Sequence, residues 1–98
     1  MLHLRHASAV ALMGWYLIVP PPVIHNRLPV DLAAPLSEWK VFSMHDSAAD
    51  CEKGLLAFYK AAQAELIANP ASESDRIRYY QLQNSQCFAG EDPLLQGK

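Results

Sequence analysis

Apolar positions along this chain follow two different spacings, which predict strands first, then helices, then a last strand. Residues 15–19 (WYLIV) form an unbroken run of aromatic and branched aliphatic side chains, which is typical of a buried strand. Residues 39–44 (WKVFSM) alternate in part between apolar and polar, so we expect a second strand that pairs with the first. Residues 85–89 (SQCFA) predict a third, short strand near the C-terminus.

Between the second and third predicted strands, apolar residues recur every three or four positions, which indicates one face of a helix. The residues on this face are Ala48, Cys51, Leu55, Phe58, Tyr59, Ala62 and Leu66. Ser47, followed three residues later by Asp50, predicts a capped N-terminus at the start of this helix. Asn69 before Pro70 predicts its end, because a residue before proline avoids the helical conformation.

A second, shorter helix is predicted from about Ser72 to Leu82, because Ser72 is again followed by an acidic residue three positions later. Residues 20–35 contain five of the seven prolines and predict an extended connector rather than a helix or strand. The predicted fold class is α+β. We expect a small, mostly antiparallel sheet of two or three strands packed on one long helix, with a second short helix and one disulfide.

The most apolar part of the chain precedes and includes the first strand. Arg5 is followed by residues 7–19, a run that is interrupted only by Ser8 and Gly14 and stops at three prolines. A run of about 13 residues is shorter than the roughly 20 that span a bilayer, and it fits the core of a signal peptide. Residues 1–14 are therefore predicted to be a signal peptide or membrane anchor, and residues 15–95 a single small domain. An entirely cytosolic chain is the alternative.

The chain has two cysteines, Cys51 on the apolar face of the long helix and Cys87 in the last strand. In an exported chain this placement predicts a structural disulfide between them. The loop of about 36 residues that it closes corresponds to about 4 kcal/mol of stability in the chain-entropy model. The alternative is that Cys51, in the first turn of a helix, is a reactive thiol. No C-x-x-C motif supports that alternative.

Charge and motif spacing limit the chemistry that the chain supports. The net charge is -2, and the eight basic residues are scattered among ten acids, so nothing indicates a nucleic-acid partner. The histidines lack the spacing of a metal site; they are His3, His6, His25 and His45. His45, Asp46 and Ser47 are the residue types of a hydrolytic triad, but adjacent residues predict a turn and helix cap instead. We predict no catalytic residue, metal or cofactor.

Four segments together resemble a family of small exported bacterial proteins with an N-terminal signal or anchor. They are residues 15–21 (WYLIVPP), 34–39 (APLSEW), 46–52 (DSAADCE) and 86–94 (QCFAGEDPL). They cover about a third of the positions, and the chain departs from the pattern at Gly90 and Glu91, where a small polar residue and an acid pair are expected. The resemblance implies export and the disulfide, and it implies no activity.

These observations favour a non-catalytic exported domain, periplasmic or tethered to the envelope, that acts as an interaction or accessory module with a protein partner. Two alternatives come from other classes of protein. One is a small subunit of a membrane complex, anchored by residues 1–19. The other is a thiol-dependent enzyme or redox factor that uses Cys51.

Overall fold

The computed structural model of the protein describes residues 14–91, and within them it confirms the α+β fold with one disulfide. The elements in chain order are β1 (Trp15–Val19), β2 (Lys40–His45), α1 (Ala48–Ala68), α2 (Glu73–Gln83) and β3 (Gln86–Ala89), with a 3-10 turn at Leu36–Glu38. The strands form an antiparallel sheet in the order β2-β1-β3. The predicted signal or anchor lies outside the described residues except for Gly14, as do residues 92–98.

The first strand of the chain is the central strand of the sheet, which explains why its sequence is an apolar run. Leu17 and Ile18 point to opposite faces, and both are fully buried. Leu17 lies opposite Ser43 in β2 and Cys87 in β3. Residues 15–19, which the membrane-subunit alternative includes in its anchor, form the central strand of the sheet.

The second strand lies one residue later than predicted and contains an irregularity. Leu17 pairs with Ser43, whereas Ile18 pairs with Val41. Phe42 is therefore an extra residue in β2 that has no partner in β1. This bulge brings Phe42 to the helix side of the sheet, where its ring meets that of Phe58 edge-on at 5.0 Å between centroids. A regular alternation would place Val41 on the same face as Ser43 and Phe42 on the same face as Met44. The bulge instead places Phe42 on the helix side with Ser43, and Val41, opposite Ile18, on the other side, so the expectation of alternating faces is wrong at both residues.

Both helix caps predicted from the sequence are present. The Ser47 hydroxyl oxygen accepts a hydrogen bond from the backbone N–H of Asp50 at 3.0 Å, and the Ser72 hydroxyl accepts one from Asp75 at 3.2 Å. Each bond satisfies one of the free amides of a first helical turn. At the other end of α1, the N–H of Asn69 donates to the carbonyl of Glu65 at 2.9 Å.

We expect Ser47→Ala to lower the free energy of unfolding by about 1 kcal/mol, because it leaves the Asp50 amide without its acceptor. Urea denaturation followed by circular dichroism measures the change. Ser47→Asp keeps an N-cap acceptor and is expected to retain most of the stability. Ser37→Ala, which removes a hydroxyl outside both helices, is the control. Equal stability of Ser47→Ala and Ser37→Ala would show that the cap contributes nothing.

The core lies between α1, α2 and the helix side of the sheet. Its buried cluster consists of Leu17, Val19, Cys51, Ala62 and Leu82, and Leu55, Tyr59 and Tyr79 are among the partly buried side chains around it. The predicted inward face of α1 is thus largely confirmed. Phe58 is the exception, because it lies at the margin of the sheet and remains exposed.

The proline-rich connector contains no helix or regular strand, as predicted, but it is not extended: it folds back on itself with an antiparallel bridge between Pro22 and Val30, and helix α2 holds it in place. The guanidinium of Arg76 donates to the carbonyls of Asn26 and Arg27 at 2.8 and 2.7 Å, and the side-chain amide of Gln81 donates to Pro20 at 2.9 Å. Val30 in the connector is buried. Side-chain donors from α2 thus satisfy connector carbonyls in a segment whose prolines supply no amide donors.

Candidate functional site

The disulfide joins the start of the long helix to the last strand. Cys51 lies in the first turn of α1, Cys87 is the second residue of β3, and their Cα atoms are 6.2 Å apart. Cys51 is fully buried, and both cysteines of the chain are in the bond. A reactive thiol at Cys51 would therefore require the reduced protein.

An open groove with a volume of about 740 Å³ lies beside this disulfide. We call it the α1–β3 groove, and it is lined by Ala49, Glu52, Lys53, Leu55 and Leu56 of α1 and by Ser85, Gln86 and Cys87. Most of its lining is apolar, and Leu56 is 52% exposed within it. Glu52 and Lys53 place one charge of each sign at its margin.

Among residues 14–91, the strand that borders the groove pairs with another strand on one side only. The amide of Gly90 donates to the carbonyl of Gly14 at 2.6 Å, so these two residues form a hydrogen-bonded pair in the β1–β3 ladder. Hydrogen-bonded pairs alternate along an antiparallel ladder, and the next ones are Tyr16 with Phe88 and Ile18 with Gln86. The amides and carbonyls of Cys87 and Ala89 therefore point away from β1, and no other described strand lies there.

Asp46 and Ser47 form the predicted turn and helix cap, whereas His45 is the last residue of β2 rather than part of the turn. The His45 Nε2 atom lies 2.8 Å from the hydroxyl oxygen of Ser43. The Ser47 hydroxyl instead accepts the hydrogen bond from the Asp50 amide in the first turn of α1. The His45 ring packs against Gly54, where an added Cβ would be only 2.6 Å from the His45 Cε1 atom. Glycine in the middle of α1 thus allows β2 to approach this helix closely.

Of the other three histidines, only His25 lies within the described residues. His25 has a backbone φ of 61°, and its N–H donates to a Glu73 carboxylate oxygen at 3.3 Å. His3 and His6 lie outside the described residues. Within residues 14–91, no group of three or more His, Cys, Asp or Glu side chains is arranged to hold a metal ion.

The three tyrosines at the α1–α2 contact were only partly anticipated. The hydroxyls of Tyr59 and Tyr79 are 3.1 Å apart, and this hydrogen bond, followed by partial burial and the charge of Tyr59, raises the pKa of Tyr79. The Tyr80 ring meets that of Tyr79 edge-on, with centroids 5.4 Å apart, and lies 5.9 Å from the guanidinium carbon of Arg76. The sequence did not indicate the Tyr59–Tyr79 pair, because its members are 20 residues apart.

Comparison with protein-family models, with characterised proteins and with solved structures finds no match to this chain. Among residues 14–91, no helix is both long enough and apolar enough to cross a bilayer. The groove, the strand edge beside it and the disulfide are therefore the features on which a function can be proposed.

Proposed function

We propose that the protein is a non-catalytic, exported interaction domain that binds an extended segment of a partner protein in the α1–β3 groove. The observation that carries this proposal is the position of an apolar groove directly beside the unpaired edge of β3. Strand addition uses these two features together, because main-chain bonds to the edge supply affinity and side-chain pockets supply specificity.

In this mode the partner segment lies along β3 as a fourth strand. Its main chain bonds to the free amides and carbonyls of Cys87 and Ala89, and every second side chain points toward α1. Those side chains meet Leu55 and Leu56 in the groove. The partner segment is therefore an apolar one with flanking polar residues, since Glu52 and Lys53 offer both signs of charge at the margin.

The disulfide also supports an oxidising location for the domain. Structural disulfides persist in the periplasm and outside the cell, whereas thiols in the cytosol are kept reduced. The apolar N-terminal sequence, with one arginine before it, supports the same location as a signal or an anchor. The domain is then periplasmic, secreted or tethered to the envelope.

The groove is tested with a library of random 12-residue peptides, from which binders to the oxidised protein are selected. We expect Leu56→Lys to weaken the selected peptides about tenfold or more, because it places a charge in the apolar contact. The control is Ile67→Lys, since Ile67 is 74% exposed on the same helix but does not line the groove. Titration of each variant by fluorescence anisotropy measures the affinities.

A second measurement in the same experiment locates the peptide. Binding is expected to slow the hydrogen exchange of the Cys87 and Ala89 amides, which point away from β1. Peptides that bind both lysine variants equally well, or that leave these two amides unprotected, would contradict the proposed site.

A further inference from the structure

A second cavity, with a volume of about 230 Å³, lies where the two helices meet the strand β2. We call it the α1–α2 cavity. Its lining residues are Phe42 of β2, Phe58, Ala61, Ala62 and Glu65 of α1, and Arg78 and Leu82 of α2. None of these residues lines the α1–β3 groove, so the two cavities are separate sites.

The interior of the α1–α2 cavity is apolar. Ala62 and Leu82 are buried and form its inner end. The rings of Phe42 and Phe58, which meet edge-on, are 38% and 36% exposed and form a wall that is partly open to water. A ligand that fills the cavity would remove exposed surface of both rings from water, and this burial is favourable.

One charge of each sign lines the same cavity. Glu65 comes from α1 and Arg78 from α2, and both residues are exposed. Neither side chain forms an ion pair with another residue in the part of the chain that the structure describes. An apolar interior with a few polar groups around it is typical of a small-molecule site, because the apolar contacts supply buried area and the polar groups fix the orientation of the ligand.

We propose that the α1–α2 cavity binds a free L-amino acid with an apolar side chain, such as phenylalanine or leucine. The side chain contacts the two phenylalanine rings and Leu82. The α-carboxylate pairs with the Arg78 guanidinium, whose planar fork matches a carboxylate with two parallel hydrogen bonds. The α-ammonium pairs with the Glu65 carboxylate. Most pockets for drug-sized ligands have about 300 to 1,000 Å³, so this smaller cavity suits a ligand of on the order of ten non-hydrogen atoms.

The ligand must carry both charges, because Glu65 and Arg78 line one small cavity. An acid without an amino group would pair with Arg78 but bring its negative charge near Glu65, and an amine without a carboxylate would bring its positive charge near Arg78. Like charges brought together in this way weaken binding and exclude wrong ligands. A residue inside a peptide has neither charge, so the ligand of this cavity differs from the segment proposed for the groove.

A chemical-shift titration of the full oxidised chain with L-phenylalanine and L-leucine tests the site. We expect saturable shifts of the Ala61, Ala62 and Leu82 amides, with dissociation constants on the order of 0.1 to 1 mM, because so small a ligand makes few contacts. Three probes each lack one recognised group: glycine lacks the side chain, N-acetyl-L-phenylalanine the ammonium and L-phenylalaninamide the carboxylate. Each is expected to bind at least tenfold more weakly than L-phenylalanine. The last two also represent the C-terminal and N-terminal residues of a peptide.

Substitutions of the two charged residues test their separate roles. Arg78→Gln is expected to weaken L-phenylalanine at least tenfold, since the charged pair with the carboxylate is lost. Glu65→Gln is expected to weaken L-phenylalanine but not N-acetyl-L-phenylalanine, which has no ammonium to pair with Glu65. Lys60→Gln removes a charge from an exposed position of α1 outside the cavity and is the control.

A substitution that fills the cavity tests its apolar part. Ala61→Leu places a larger side chain in the lining and is expected to weaken L-phenylalanine about tenfold, because it occupies part of the space. Ala57→Leu makes the same change at an exposed position of α1 that does not line the cavity, and it is expected to leave the affinity unchanged.

Several results would overturn the proposal. One is the absence of saturable shifts with either amino acid up to its solubility limit. Another is equal binding of L-phenylalanine and N-acetyl-L-phenylalanine, because the site would then recognise any apolar anion. A third is binding that Leu56→Lys abolishes, since Leu56 lines only the groove. Because the two cavities share no residue, failure of the peptide selection leaves this site untouched, and failure of the amino-acid titration leaves the groove untouched.

Discussion

Loss of the Cys51–Cys87 bond is expected to lower the free energy of unfolding by about 4 kcal/mol. The bond closes a loop of 36 residues that contains most of α1 and all of α2, so its removal frees a large part of the unfolded chain. A small domain has only about 5 to 15 kcal/mol of stability in total. The reduced protein is therefore expected to be only marginally folded at 37 °C.

Urea denaturation of oxidised and reduced wild-type protein measures this loss directly. The double variant Cys51→Ala, Cys87→Ala is the comparison that removes the sulfur atoms as well as the bond. Because Cys51 is fully buried, the double variant is expected to be slightly less stable than reduced wild type. A reduced protein within about 0.5 kcal/mol of the oxidised one would show that the bond is not what holds α1 to β3.

The same bond gives a test of location and of the thiol alternative. Protein recovered from the periplasm is expected to contain no thiol that reacts with iodoacetamide until it is denatured and reduced. Fast alkylation of Cys51 in the native protein near neutral pH would instead support a thiol-dependent enzyme or redox factor.

Leu17→Ala is expected to lower the free energy of unfolding by about 3 kcal/mol. Leu17 is 0% exposed at the centre of the middle strand, and it belongs to the same buried cluster as Cys51, Ala62 and Leu82. Truncation leaves a cavity between the sheet and both helices, and main-chain pairing on both sides of β1 restricts the movement that would fill it. Thermal and urea denaturation of the oxidised protein measure the loss.

Leu56→Ala is the matched control, because it removes the same atoms from a half-exposed position on α1. We expect it to cost less than about 1 kcal/mol, since little buried contact is lost. Similar losses for the two variants would mean that the core does not lie between β1 and the helices. The groove experiment uses Leu56 as well, so this control also shows that changes there leave the fold intact.

Features that depend on neighbouring residues could be predicted from the sequence. The caps at Ser47 and Ser72 need only an amide three residues later, and both are present. The connector is irregular because proline restricts its own backbone whatever surrounds it. The disulfide also followed from the sequence, since two cysteines on apolar positions allow only one pairing once a bond is assumed.

Features that depend on which elements meet could not be predicted in this way. Phe58 has the spacing of a core residue, yet it lies against Phe42 of the outer strand β2 and remains exposed, whereas Ala62 one turn later is buried. The α1–β3 groove and the two free edges exist only because β1, the first strand in the chain, became the middle one.

The sequence by itself determined the elements, their caps and the cysteine pair, because these follow from interactions within a few residues or from a single possible pairing. Only the tertiary structure decided the strand order, the bulge at Phe42 and the surfaces left uncovered. The physical reason is that main-chain pairing and burial join residues far apart in the chain, so one local pattern is compatible with several arrangements. The central position of Leu17 and the exposure of Met44 both follow from that one choice of strand order.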